Sequence, residues 1–181
     1  MRTNATPRYD QSDNPTGCCP RFKKEGWDGQ SLHFENKSFV CAKTRSLMHI
    51  PVNMGSVFSK TAAAIDAADG FDDEHIFILS RDLSPWSAEH LFAVTKDISA
   101  QKMVRLSGDY RTKVFEGPYR DIGEWVHQYE DELESQGLDT EQIYAFCTTC
   151  PKCAKSYGEN YVVMVARVEP EADRSKRSGV L

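Results

Sequence analysis

The chain has no excess of basic residues and no long apolar run. Its 22 Lys and Arg residues are outnumbered by 27 Asp and Glu residues, which gives a net charge of −5. Direct nucleic-acid binding requires a basic surface, so this balance argues against it. No stretch approaches the ~18 consecutive apolar residues of a membrane span, and the N-terminus lacks the apolar region of a secretion signal. We therefore expect a cytoplasmic protein that does not enter a membrane.

Two further absences narrow the chemistry. The sequence contains no glycine-rich phosphate loop, which makes a nucleotide cofactor unexpected. The sequence shows no recognisable Ser-His-Asp triad either. The two serine-containing segments that could be considered, Ser107-Gly108-Asp109 and residues 53–56, have the composition of turns. The remaining classes are binding proteins and enzymes that use carboxylates or thiols.

The length and composition predict one domain. A chain of 181 residues with 40% hydrophobic residues is long enough for one core and too short to favour two. We expect a single domain over residues 17–170, with halves at about 31–96 and 103–169. The polar segments 1–16 and 171–181 are expected to be flexible tails.

The clearest local pattern lies between Met103 and Gln136. Residues alternate in character from Tyr110 to Glu116, as in a strand, and Gly117-Pro118 ends this strand. A helix is predicted next, because five apolar side chains fall on one helical face. They are Ile122, Trp125, Val126, Tyr129 and Leu133.

This pattern is predicted to occur twice. Each half reads as strand, helix, strand, strand, which indicates an internal duplication. The first half has strands at 37–46, 75–80 and 89–95 and a helix over 57–68, and the second adds strands at 142–147 and 161–168. The segment 82–88 is predicted to be an exposed loop that carries Trp86.

The order of elements and the stretch DYRTKVFEGPYRDIGEWV resemble the GyrI-like small-molecule-binding domains. The resemblance covers about residues 37–168. It implies an α+β fold of two fused strand-helix-strand-strand units with pseudo-two-fold symmetry, in which two helices pack on an antiparallel sheet. It also implies a groove between the halves for a hydrophobic small molecule. Some family members are hydrolases that open the strained cyclopropane rings of DNA-alkylating compounds.

A second resemblance covers nearly the whole globular part. The stretches CCPRF, RSLMHIPVNMGSV, LSRDLSPWSAEH and CPKCAKSYG are similar to a set of bacterial proteins labelled hydrolase. This label implies hydrolysis and brings no mechanism with it.

Three glutamates are candidates for the catalytic group. Glu116 ends its strand, and Glu89 and Glu159 each lie at the start of the last strand of their half. A carboxylate that is desolvated among aromatic rings has a raised pKa and can act as a general base on water. Solvated glutamates at strand ends are the alternative interpretation of all three. In the hydrolytic relatives, a glutamate with aromatic neighbours is the working group.

Aromatic residues and one histidine are candidates for ligand binding. Tyrosine and tryptophan combine an apolar ring with a hydrogen-bonding group. The candidates are Trp86, Tyr110, Tyr119, Tyr144, Tyr161 and His49. For each of them, a purely structural role is the alternative.

The six cysteines are the most specific local signal. Cys150-Pro-Lys-Cys153 has the form of a zinc-knuckle turn, but a tetrahedral zinc site needs four ligands. Cys18 and Cys19 complete the set if the N-terminal loop packs on the second half, which would form a structural zinc site. A redox dithiol at Cys150 and Cys153 and inert thiols are the alternatives. Cys41 lies within a strand and is expected to be a small buried residue.

The sequence thus favours a GyrI-like hydrolase that acts on a hydrophobic or electrophilic compound through glutamate-activated water. Two interpretations of other classes stay open. One is a non-catalytic module that binds a drug or effector or inhibits a protein partner, and the other is a zinc-stabilised thiol protein. A homodimer is compatible with all three.

Overall fold

The computed structural model describes residues 2–8, 10–72 and 76–170, and the expected tail at 171–181 lies outside them. No helix in these ranges is both long and apolar enough to cross a membrane. The strands are β1 (Ser31–Leu47), β2 (Ile50–Pro51), β3 (Ile78–Ser84), β4 (Ser87–Ala93), β5 (Met103–Glu116), β6 (Leu138–Cys147) and β7 (Tyr161–Pro170), and the helices are α1 (Met54–Ala67), α2 (Ile122–Ser135) and α3 (Pro151–Tyr157).

The seven strands form one antiparallel sheet in the order β2-β1-β4-β3-β6-β7-β5. The long strand β1 also pairs with β5, so six of the strands close into a ring around a shared interior. In the first half β4 lies between β1 and β3, and in the second β7 lies between β5 and β6. The two halves therefore repeat one strand order, and the predicted α+β class with an antiparallel sheet is confirmed.

Two local predictions were wrong. The third helix, α3, was expected to be a cysteine-rich turn, because seven residues are too few to show a helical pattern. Pro151 begins this helix, and Gly158 ends it with φ of 74°. The loop predicted over 82–88 is a tight hairpin, in which only Pro85 and Trp86 separate β3 from β4.

The alternation of side chains along the strands divides the core into three clusters. The inner face of the closed sheet gathers apolar residues of both halves, and Phe22 and Trp27 of the N-terminal segment pack into it. Trp27 is 1% exposed, and its ring centroid lies 5.1 Å from that of Phe146. Helix α1 covers the outer face of β1 and β4, and α2 covers that of β6 and β7.

The N-terminal segment, expected to be a flexible tail up to residue 16, lies along β1 at its start. Thr3 forms a parallel bridge with His33. The backbone N–H of Asn4 donates to the His33 carbonyl at 2.9 Å, and its side chain bonds to the backbone of Glu35.

A buried histidine lies beneath α1. The His90 ring is within hydrogen-bond distance of Thr44 Oγ1 (2.9 Å) and Ser80 Oγ (2.8 Å), and Phe58 packs edge-on against it. Burial disfavours the charged imidazolium and lowers the pKa of His90 to about 4. The ring is therefore neutral in the folded protein at neutral pH.

We predict that His90 makes the protein sensitive to acid. The unfolded chain takes up a proton near the ordinary histidine pKa of about 6.5, whereas the folded chain takes it up only near pH 4. The stabilisation is thus complete above pH 6.5 and is lost as the pH falls towards 4, by about 3 kcal/mol in total. Urea unfolding from pH 7 to 4 measures this change.

The control is the exposed His127. His90→Gln should flatten the pH dependence of the free energy of unfolding over this range, whereas His127→Gln should leave it unchanged. Equal slopes for the two variants would contradict the assignment.

Candidate functional site

Of the three candidate glutamates, Glu89 is the one that lies inside the closed sheet. It points inward from β4, and its side chain is 13% exposed. Its register partner on β3 is Arg81, whose Nε donates to Glu89 Oε1 at 2.7 Å. The charge of this carboxylate is thus matched within its own half of the protein.

The second half contacts this ion pair through Tyr144. The Arg81 guanidinium lies 5.3 Å from the centre of the Tyr144 ring of β6, a cation–π contact across the two halves. The Tyr144 hydroxyl donates to Gln142 Oε1 at 3.1 Å. Burial raises the pKa of Tyr144, and the negative charge of Glu89 adds to this effect. Tyr144 therefore stays a neutral hydrogen-bond donor.

Cys41 contacts the other oxygen of Glu89. Its Sγ lies 3.7 Å from Glu89 Oε2, and burial followed by the carboxylate charge raises the pKa of this thiol. A protonated thiol is a weak donor, so Oε2 keeps capacity for a stronger donor such as water. We call Cys41, Arg81, Glu89 and Tyr144 the Glu89 cluster.

Two buried polar atoms beside this cluster have no hydrogen-bond partner among the described residues. They are the Tyr110 hydroxyl and Arg167 Nε, which belong to register partners on β5 and β7. Burial, with the nearby Tyr144, raises the pKa of Tyr110 to about 12. Unpaired buried polar atoms are costly, and both of these groups can donate to an acceptor that enters the interior.

The other two glutamates meet elsewhere, at Tyr161. Glu116 is the register partner of Tyr161, and the Tyr161 hydroxyl lies 3.5 Å from Glu159 Oε2. Burial, and then the two negative charges, raise the pKa of Tyr161. Glu116 is exposed, and Arg21 approaches Glu159 at 3.9 Å. These carboxylates are more open to water than Glu89.

The structure brings together the four cysteines that the sequence singled out. The Sγ atoms of Cys18, Cys19, Cys150 and Cys153 all lie within 4.8 Å of one another. The sulfurs of Cys18 and Cys19 are 3.7 Å apart, and those of Cys18 and Cys150 are 4.0 Å apart. Tetrahedral zinc with Zn–S bonds of about 2.3 Å places its sulfurs about 3.8 Å apart. The four thiols fit that geometry.

Polar groups around the cysteine cluster favour thiolates. The backbone N–H of Cys150, at the start of α3, donates to Cys19 Sγ at 3.4 Å, and Thr16 Oγ1 lies 3.3 Å from Cys153 Sγ. The Thr16 hydroxyl is the main cause that lowers the pKa of Cys153 to about 7. Burial instead raises the pKa of Cys19 to about 12.

Tyr119 holds the loop that leads into this cluster. Its hydroxyl donates to the Thr149 carbonyl at 2.5 Å, immediately before Cys150. Burial raises the pKa of Tyr119 to about 12, so that it remains a donor at neutral pH. Tyr119, a candidate ligand residue, therefore has a structural role, because it holds the loop before Cys150 in place.

His49 and Trp86 lie together on the outside of the protein. The backbone N–H of His49 donates to the Pro85 carbonyl at 2.9 Å, and His49 Nδ1 pairs with Asp82 at 2.6 Å. The Trp86 side chain is 56% exposed. The candidate ligand residues are thus divided between the interior (Tyr110, Tyr144), the Tyr161 site, the cysteine loop and this outer surface.

Sequence reasoning missed Arg81, which pairs with Glu89, and Arg167, which is the register partner of Tyr110. A signal existed for Arg81, because a tight hairpin after Asp82 makes it the cross-strand neighbour of Glu89. The predicted loop over 82–88 hid this pairing. For Arg167 no local pattern indicates that its Nε atom is buried.

Solved structures share the fold at low sequence identity. An uncharacterized conserved protein from Listeria innocua superposes with a TM-score of 0.56 at 14% identity, covering 78% of this chain and 92% of that one. A hydrolase from Listeria innocua gives a TM-score of 0.53 at 12% identity with the same coverage. No curated protein matches the chain. A family model described as bacterial hydrolase matches residues 9–168, which is most of the chain, and the chain therefore belongs to this bacterial hydrolase family.

Proposed function

We propose that the protein is a hydrolase for a hydrophobic, electrophilic small molecule and that Glu89 activates the attacking water. The observation that carries the proposal is the enclosure of Glu89 inside the closed sheet, where it pairs with Arg81, which in turn contacts Tyr144 of the other half. The family description and the hydrolase among the fold neighbours support hydrolysis as the reaction class. Strained-ring alkylating compounds are the substrate class, as in the GyrI-like hydrolases that the sequence resembles.

The two oxygens of Glu89 have different partners and are proposed to have different roles. Arg81 fixes Oε1, so the carboxylate keeps one orientation. Oε2 accepts a proton from water as the water oxygen bonds to the electrophilic carbon. The bond from that carbon to its leaving atom breaks in the same step, and the proton that Oε2 took from water then passes to the leaving atom, which restores the carboxylate of Glu89. No redox partner is needed.

The unpartnered donors indicate how the substrate is held. The Tyr110 hydroxyl and Arg167 Nε each have a hydrogen bond to give, and a polar substituent of the substrate can accept it. The surrounding side chains are apolar or aromatic, which suits a hydrophobic body. Such a protein would remove reactive compounds inside the cell.

We predict that Glu89→Gln lowers kcat/KM by at least ~100-fold, because an amide cannot take the proton from water. Gln retains the oxygen that accepts from Arg81, so the fold is expected to survive. The assay follows products by mass spectrometry with a panel of aryl esters, aryl epoxides and aryl cyclopropanes. Thermal unfolding of the variant separates loss of activity from loss of structure.

Three further variants sharpen this test. Glu130→Gln, on the exposed face of α2, is the matched control and should keep the full rate. Loss of turnover in Glu116→Gln or Glu159→Gln, with Glu89→Gln active, would move the reaction to Tyr161 and contradict the proposal. Binding of a probe without turnover in the unmutated protein would favour the non-catalytic module.

For the cysteine cluster, we propose a structural zinc ion. Four thiolates complete a tetrahedral shell and leave no open position for substrate or water. The site connects two distant parts of the chain, because Cys18 and Cys19 precede the core residues Phe22 and Trp27, and Cys150 and Cys153 lie at α3. When bound, the ion would hold these parts together, whereas Glu89 and its neighbours would carry out the reaction.

We predict one zinc per chain by elemental mass spectrometry. Cys150→Ser should lose most of the metal and lower Tm by at least ~5 °C, because zinc binds the folded chain alone. Cys147→Ser, outside the cluster, should keep both the zinc and the Tm. Absence of zinc after reconstitution, or equal Tm values for the two variants, would contradict a zinc site, and a reversible Cys150–Cys153 disulfide would support the redox alternative.

A further inference from the structure

Most of the large apolar side chains that are exposed lie at one end of the sheet. The described residues contain seven exposed large hydrophobic side chains, and six of them belong to two neighbouring hairpin ends. Their exposure ranges from 41% for Leu83 to 69% for Ile50. We call this surface the hairpin patch, and it consists of Leu47, Met48, Ile50, Val52, Leu83 and Trp86.

Backbone hydrogen bonds join the two hairpin ends into one surface. The N–H of Ser46 donates to the Trp86 carbonyl at 2.8 Å, and that of His49 donates to the Pro85 carbonyl at 2.9 Å. The side chains of His49 and Asp82 add a hydrogen-bond contact between the same two hairpins, at 2.6 Å. The backbone segments that carry the apolar side chains are thus held next to each other.

The turn between β1 and β2 is strained. Met48 and His49 have φ angles of 49° and 69°, which is left-handed backbone. A two-residue hairpin with two positive φ angles normally uses Asn-Gly, and other residues cost of order 1–2 kcal/mol each there. Met48 keeps this unfavourable backbone although its side chain is 63% exposed and gains little from packing within the monomer. A contact outside the monomer would account for keeping these side chains.

We propose that the hairpin patch is the interface of a two-fold symmetric dimer and that its occupant is the same patch of a second copy. At roughly 100 Å² for each half-exposed side chain, the patch presents about 600 Å² of apolar surface, which is the upper end for a monomer. A standard interface takes ~800 Å² from each partner, so the patch and a rim of polar atoms supply the required area.

The charges of the patch suit a second copy better than a lipid surface. The polar side chains at the patch, His49 and Asp82, satisfy each other at 2.6 Å, so a second copy can cover them without leaving either one unpaired. Anionic membranes attract clusters of about four to eight Lys and Arg residues, whereas this chain has a net charge of −5. The interface does not depend on the hydrolase proposal.

Sedimentation equilibrium between ~1 and ~200 μM tests the dimer. The unmutated protein should reach the mass of two chains within this range. Ile50→Glu should raise the dimer Kd at least ~100-fold, because a two-fold interface would bury two unpaired carboxylates. Ile76→Glu is the matched control, since Ile76 is 54% exposed and lies away from the patch. It should leave the Kd unchanged, and circular dichroism should show both variants folded.

Three results would overturn the proposal. One is an unmutated protein that is monomeric throughout this range, and another is a dimer whose Kd is the same in Ile50→Glu. The third is a monomer that co-sediments with phosphatidylglycerol vesicles and loses that binding in Ile50→Glu, which would assign the patch to a lipid surface.

Discussion

The structure depends on the double pairing of β1. This strand of 17 residues pairs with β4 of its own half and with β5 of the other half, which closes the sheet around a common interior. In a closed sheet each inward side chain faces residues of both halves. An inward charge must therefore find its partners inside. Arg81 neutralises Glu89 within the first half, and Tyr144 of the second half covers the pair.

The cysteine cluster lies outside the closed sheet, but it holds a segment that contributes side chains to the interior. The N-terminal segment pairs with β1 through Thr3 and Asn4, and it brings Phe22 and Trp27 into the core. The ring centroids of Phe22 and Tyr161 are 5.7 Å apart, and those of Trp27 and Phe77 are 6.0 Å apart. Fixing Cys18 and Cys19 beside α3 shortens the free chain that leads to these rings, which lowers the entropy lost on packing them. A metal ion bound by the four cysteines would in this way couple metal binding to core packing.

The sequence predicts the strands and helices better than it predicts their partners. Alternation along β5 and the 3.6-residue period of α2 come from side chains that each face one environment, and both elements were found near the predicted residues. The four cysteines converge because the N-terminal loop packs on the second half, a long-range contact that the sequence left open. The position of Glu89 could not be read from its neighbours in sequence, since Arg81, Cys41 and Tyr144 come from three other strands. Inward orientation depends on strand register, and a hairpin misread as a loop removes that information.

We propose that water forms the new bond to the substrate and that Glu89 transfers a proton without bonding to the substrate itself. Single turnover in ¹⁸O-labelled water with an aryl substrate that the protein converts tests this claim directly, with mass spectra of the product and of peptides containing Cys41 or Glu89. The account predicts one ¹⁸O in the product and no change in either peptide. Label in the carboxylate of Glu89, or a substrate adduct on Cys41, would show covalent catalysis and contradict it.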